Sequence, residues 1–219
     1  MTLTPIIRHI RTYSKNENLV KEKRELIAGE ALKLFLVNGY VKTTIRELAE
    51  ACELTEGAIY RYIGSKDDIL HLFLLRINVN QIQDYLRGLG EIDTIEALGK
   101  CIWQYYTWQD QTYEVNIFYN REINNFTRED RRVLLKSQSD YIHFFDELIK
   151  KGVSEGIFHT ADSLLIAHNI VMLGYDWGLR RWFLSQYFTI DEYIEKQTAM
   201  FLYLLTADSE KKRKVSPKK

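Results

Sequence analysis

Residues Thr43–Lys66 read TTIRELAEACELTEGAIYRYIGSK. Two short helices and a sharp turn account for this spacing. Thr44 and Glu47 form a capping box, a hydroxyl at the helix start with an acid three residues on. Ile45, Leu48, Ala49 and Cys52 then recur at the spacing of one helix face. The pattern stops at Glu53-Leu54, and Thr55 caps a second helix over Glu56–Ile63. Its inner face is Ala58, Ile59 and Ile63; its outer face is Thr55, Glu56, Gly57, Tyr60, Arg61 and Tyr62. Gly64 ends it, and Ser65 with Asp68 opens the next helix. A tight helix pair whose second member shows small, aromatic and basic groups is a helix-turn-helix signature.

An ordered set of short motifs surrounds this pair: Asn38-Gly39-Tyr40, Thr43-Thr44, Ile45-x-x-Leu48-Ala49, Gly57-Ala58-Ile59-Tyr60-x-Tyr62 and Ser65-Lys66-x-x-Ile69-Leu70. From about Lys21 to Leu70 the chain resembles the DNA-binding domain of TetR-family transcriptional regulators. Three positions depart from the family pattern. Glu53 stands where many relatives have Gly in the turn, Ile63 where an aromatic residue often closes the recognition helix, and Glu56 where a basic or small residue is common. The resemblance implies an all-α fold: a three-helix DNA-binding head, then a helical ligand-binding and dimerisation domain. Further on, Arg121-Glu122-Ile-Asn, Leu148-Ile-x-x-Gly152-x-x-x-Gly156-x-Phe158, Asp162 and Trp177 to Trp182 are similar to a subgroup that answers to acyl-CoA thioesters.

The rest of the chain suits such an organisation. At 219 residues and 46% apolar it is long and apolar enough for a real core, and with only 2 Pro it reads as helical throughout. No apolar run of about 18 residues is present, so no membrane span is expected. The first residues lack the apolar core and cleavage site of a signal peptide. Cys52 and Cys101 fall on apolar helix faces, as reduced buried thiols of a cytoplasmic protein would. Charge is segregated. Residues 1–66 carry 11 basic and 8 acidic residues, 67–210 carry 13 and 22, and 211–219 carry 6 and none. Such asymmetry suits a chain of which one part meets nucleic acid.

Four segments are expected: an N-terminal arm over 1–18, the helix-turn-helix domain over 19–66, a ligand-binding and dimerisation domain over 67–207, and a basic, disordered tail over 208–219. Capping pairs and glycine stops give about nine helices. They run over 19–37, the two short ones, 66–88, 93–110, 112–124, 127–151, 161–185 and 189–206. The helix over 66–88 would be shared by head and body, a lever between them. The arm, with Arg8, His9 and Arg11, would either reach an adjacent groove or fray.

For DNA, Thr44 at a helix start and Lys66 suit phosphate, as do the phenols of Tyr60 and Tyr62 on the family's pattern. Thr55, Glu56 and Gly57 lie at the end of the recognition helix that enters the major groove. Arg61 suits guanine or phosphate, and Glu56 suits cytosine N4 or simply the helix dipole. For an effector, Trp103, Tyr106, Phe118, Tyr119, Tyr141, Phe145 and Trp177 would line an apolar pocket, with Arg121 and Arg181 meeting an acid or phosphate. Ordinary core packing is the competing account of each ring, and surface charge that of each arginine. Asp68-x-x-His71 and Asp140-x-x-His143 read as helix-surface pairs. Neither a metal-site pattern nor a catalytic motif is present, so no cofactor, no metal and no enzyme activity are expected. The reading that follows is a homodimeric repressor on a double-stranded palindromic operator, released by a small apolar effector such as an acyl-CoA. Its rival is a helical small-molecule-binding protein or enzyme whose head is a protein-interaction surface.

Overall fold

The computed structural model describes residues 10–74 and 80–207. Among them it is all-helical, with eleven α-helices. They are α1 (Glu17–Asn38), α2 (Ile45–Ala51), α3 (Glu56–Tyr62), α4 (Lys66–Leu74), α5 (Asn80–Gly88), α6 (Thr94–Gln111), α7 (Tyr113–Glu122), α8 (Arg128–Ser154), α9 (Ser163–Leu179), α10 (Arg181–Leu184) and α11 (Ile190–Thr206). A 3-10 turn, Ile123–Asn125, follows α7.

Short-range capping sets most of these boundaries. Thr44 with Glu47 and Thr189 with Glu192 form complete capping boxes. Asp93 accepts from Glu96 N at 2.9 Å, Thr55 from Ala58 N at 3.1 Å and Asp162 from Leu165 N at 3.1 Å. Each side chain satisfies a helix-end N–H that has no partner inside the helix. One cap was not read from the sequence: Asn16 accepts from Leu19 N at 3.1 Å and starts α1 two residues early.

The packing divides the chain into two compact units. The first comprises the described residues of Met1–Asn78 with Glu114–Ser137; the second comprises those of Val79–Tyr113 with Gln138–Lys219. The boundary therefore differs from the 66/67 division expected from the sequence, because α4 and most of α7 carry rings into the head's core. Phe35 of α1 stacks on Phe118 at 5.6 Å, and Phe73 of α4 meets Phe118 edge-on at 5.1 Å. Leu48, Ile59, Ile63 and Ile69 complete that core.

In the second unit α6 packs on α9 and α11. Tyr106 and Tyr193 stack at 6.0 Å, and Trp177 lies 4.9 Å from Tyr193. The tyrosine hydroxyls are satisfied by helix carbonyls: Tyr106 donates to Ile170 O at 3.0 Å and Tyr193 to Leu173 O at 3.1 Å. Gly174 permits this close approach. A Cβ there would lie 2.7 Å from a Tyr106 ring carbon and 2.8 Å from one of Tyr105.

Several sequence expectations need correction. The single helix over 161–185 is two, α9 and α10, broken at Arg180 after the weak helix formers Gly174 and Gly178. The lever over 66–88 appears as α4 and α5, and its middle, 75–79, lies outside the described residues, as do 1–9 of the arm and all of the tail. Asp68 and His71 are not a surface pair, since both are buried. Asp68 caps α4 by accepting from Gly64 N and Ser65 N at 2.8 and 2.9 Å. His71 Nδ1 lies instead 2.8 Å from Asp130 Oδ1. His143 is exposed, its Nδ1 2.8 Å from Ser139 O one turn back. Both cysteines are free and buried; burial pushes the Cys52 thiol up to about 11 and that of Cys101 to about 12, so neither is a ready nucleophile. No helix among the described residues is long and apolar enough to cross a membrane.

A methyl group at Gly174 has no room among buried rings. Gly174→Ala should cost about 1–3 kcal/mol of overpacking strain, visible as a lower denaturation midpoint. An unchanged midpoint would mean that α6 and α9 can separate freely.

Candidate nucleic-acid interface

Helix α3 divides cleanly. Ile59 and Ile63 are fully buried, while Thr55, Glu56, Gly57, Tyr60 and Arg61 are exposed. Tyr62, placed on the outer face by the sequence reading, is only 7% exposed and belongs to the core. The i+3 step from Ile59 turns its ring inward, so Tyr62 packs its body in the core while its hydroxyl is not among the buried polar groups left without a partner. Tyr60 is 43% exposed. A Cβ built at Gly57 meets nothing within 4 Å. Packing therefore does not require glycine there, although glycine costs an exposed helix about 1 kcal/mol relative to alanine. The face over Gly57 is thus open to the close approach of a second molecule.

The turn before α3 is a Schellman motif. Glu53 N donates to Glu50 O at 3.1 Å and Leu54 N to Ala49 O at 2.9 Å. Glu53 has φ +54°, the left-handed region that favours glycine. The departure noted at Glu53 is thus a local strain accepted within an otherwise regular turn.

Around α2 the polar groups are fully engaged. Thr44 accepts from Glu47 N at 3.2 Å and donates to Glu47 Oε2 at 2.9 Å. Its hydroxyl is thus part of the cap, and Thr44 stays exposed. Lys66 does not simply project a charge outward. Its Nζ donates to Tyr40 O and, at 3.3 Å, to Val41 O, and lies 4.3 Å from the Tyr40 ring centre. Burial lowers its pKa, while Asp67, Glu47 and Glu122 pull it back up. Lys66 joins α4 to the corner between α1 and α2.

That corner has a second clamp. Arg121 donates to Phe35 O and, at 2.8 Å, to Leu36 O, the last-turn carbonyls of α1. Its Nε donates to Glu122 Oε1 at 3.0 Å. Buried Glu122 also accepts from Tyr40 N at 3.4 Å and from Asn125 Nδ2 at 2.7 Å. Arg121, expected to meet an effector, is a helix cap. Glu122, part of the subgroup motif in the sequence, also depends on a contact 82 residues away.

The other proposed effector residues do not form one group. Phe118 and Tyr119 belong to the core of the first unit. Trp103 is 43% exposed on α6. Tyr106, Phe145 and Trp177 are buried in the second unit, where Tyr141 lies 5.0 Å from the Tyr105 ring. These rings pack on one another, so their number alone does not require a cavity. Arg181 pairs with Asp110 and lies 4.5 Å over the Tyr113 ring. Trp177 Nε1 donates to the same carboxylate at 2.8 Å. Arg180 lies 3.8 Å from Asp176. Asp110, which the sequence did not mark, thus anchors both Trp177 and Arg181.

Two substitutions test this geometry. Glu53→Gly should stabilise the fold by about 1 kcal/mol, because it removes the left-handed penalty; a loss of stability in urea denaturation would contradict the turn assignment. Arg121→Gln should destabilise it by about 1–2 kcal/mol, since two carbonyls lose a charged donor at a partly exposed site. Unchanged stability would return Arg121 to the surface.

The chain matches two patterns in succession. Residues 27–72 match that described as bacterial regulatory proteins, tetR family, and residues 91–204 match the tetracyclin repressor-like C-terminal domain. It is 29% identical over 189 residues to the HTH-type transcriptional regulator HbdR of Aromatoleum sp. (strain CIB), covering 85% of this chain and 82% of HbdR. A bacterial regulatory protein in the tetR family from Rhodococcus RHA1 shares the fold at a TM-score of 0.72 and 23% identity, covering 84% of this chain and 98% of that one. The transcriptional regulator FadR from Bacillus subtilis, solved in complex with stearoyl-CoA, does so at 0.65 and 17%, covering 82% and 98%. Helix-turn-helix geometry, the two matched patterns and the fold agree: the chain belongs to the TetR family of transcriptional regulators.

Proposed function

We propose that the protein is a dimeric repressor whose α3 enters the major groove of a palindromic operator and which a small apolar effector, an acyl-CoA, releases. The observation that carries the DNA half is the exposed face of α3, with open space over Gly57 and Tyr60 and Arg61 beside it. Thr55, Glu56 and Gly57 then face base edges, and Tyr60 and Arg61 face phosphate or guanine. Thr44 and Lys66 act mainly by fixing α2 and the corner behind it.

Dimerisation through α9 and α11 is supported by the large apolar side chains these helices expose, among them Leu164, Leu165, Met200 and Tyr203. Large apolar side chains left in solvent in such number mark an interface. The effector half rests on the ring-rich second unit around Tyr106, Tyr141, Phe145 and Trp177, and on the stearoyl-CoA bound by the structurally similar FadR. The arginines give it less support, because Arg121 and Arg181 are already paired. The acyl chain rather than the CoA phosphates is therefore the part this chain grips.

Gly57→Ala separates DNA reading from folding. It should raise stability by about 1 kcal/mol and weaken specific DNA binding about tenfold, the worth of one base-edge contact. Equal DNA affinity for variant and parent would remove Gly57 from the interface. Calorimetry with stearoyl-CoA, stearate and CoA alone tests the effector: heat from the first two and none from CoA is expected. Heat from CoA alone would shift the site to the phosphates, and no heat from any would end the acyl-CoA reading. A protein that binds these lipids and shows no salt-dependent DNA affinity would favour the rival, a binding protein whose head docks another protein.

A further inference from the structure

The stretch before α1 is not a frayed end in its described part. Ile10 is buried, and Tyr13 N donates to Arg61 O at 3.0 Å. Thr12 Oγ1 donates to the same carbonyl at 3.2 Å. From α1, Arg24 donates to Tyr62 O at 2.9 Å and to Ile10 O at 2.8 Å, tying the segment to the end of α3. Burial lowers the Arg24 pKa, so this cation is spent on the joint at a desolvation cost.

The joint holds a basic strip beside the reading helix. No acid occurs in residues 1–16, where Arg8, Arg11 and Lys15 stand. Arg11 and Lys15 are exposed, as is Arg61. None of these three has an ion-pair partner among the described residues. The Arg11 guanidinium rests 5.0 Å from the Tyr13 ring centre, and its Cβ lies 3.4 Å from where a Cβ on Gly64 would be. The charge is therefore carried on a backbone fixed to the last turn of α3 rather than on a loose tail. Compensation of the α3 dipole would ask for one cation near that helix end, not a docked strip.

We propose that residues 10–16 are a second DNA-binding element, in which Arg11 and Lys15 grip the phosphodiester backbone flanking the groove that α3 enters. This rests on the DNA-binding reading above and adds a contact outside the helix-turn-helix. A docked segment has already lost its backbone freedom, so binding costs less ordering entropy than for a mobile arm. The contact is to phosphate and independent of sequence, so it lowers the free energy of all DNA alike.

Fluorescence anisotropy of the full chain on a labelled mixed-sequence duplex, across a salt series, tests it. The double variant Arg11→Ala/Lys15→Ala should lose about two units of salt slope, and about tenfold in affinity, because each lost phosphate contact removes close to one. Arg11→Lys/Lys15→Arg keeps both charges and should keep the parent slope. Lys150→Ala/Lys151→Ala, an equal charge loss in the second unit, should also match the parent. A doubly neutralised protein that melts like the parent and keeps the parent slope would overturn the proposal while leaving the α3 reading intact. A parent with no salt-dependent DNA binding would overturn both.

Discussion

The corner between α1 and α2 is the constraint on which the reading head depends. A helix end and the loop that follows it leave carbonyls that need further donors. Here those of Phe35 and Leu36 are taken by Arg121, that of Gly39 by Thr43 at 2.9 Å, and those of Tyr40 and Val41 by Lys66. Glu122 holds Tyr40 N in turn. Two cations and one carboxylate, brought from α4 and α7, thus fix where α2 starts. The Schellman turn then fixes α3 relative to α2. Lys66, whose chemistry suits a DNA phosphate, also serves this geometry.

The same economy recurs elsewhere in the first unit. Asp68 caps α4 while His71, one turn on, pairs with Asp130 of α8, whose other oxygen accepts from Thr127 Oγ1 at 2.8 Å. Phe35, Phe73 and Phe118 make the core from three helices. The family pattern places a DNA head before the first long connecting helix. The packing counts most of α7 and the start of α8 as part of that head.

Local signals were legible and distant ones were not. Capping pairs such as Thr44-Glu47 and Thr189-Glu192 act over three residues, so the sequence shows them directly. The buried and exposed sides of α3 followed from helical spacing, except at Tyr62, where a short helix packs more than one stripe. The partners of Arg121, Arg181 and His71 are not legible in the sequence because they lie 59 to 86 residues away. An arginine near aromatic residues looks alike whether it awaits a ligand or caps a helix. Ring count in the second unit is ambiguous for a similar reason: tyrosines that donate to helix carbonyls, as Tyr106 does to Ile170, can fill a core without leaving a polar group unpaired.

The central claim is that α3 of a symmetric pair reads two related half-sites on DNA. Selection of duplexes from a random library by the full chain, followed by sequencing, tests it most directly. The account predicts enrichment of an inverted repeat, because two identical heads related by a two-fold axis read the same bases on opposite strands. Enrichment of a single unrepeated motif, or of none, would contradict it.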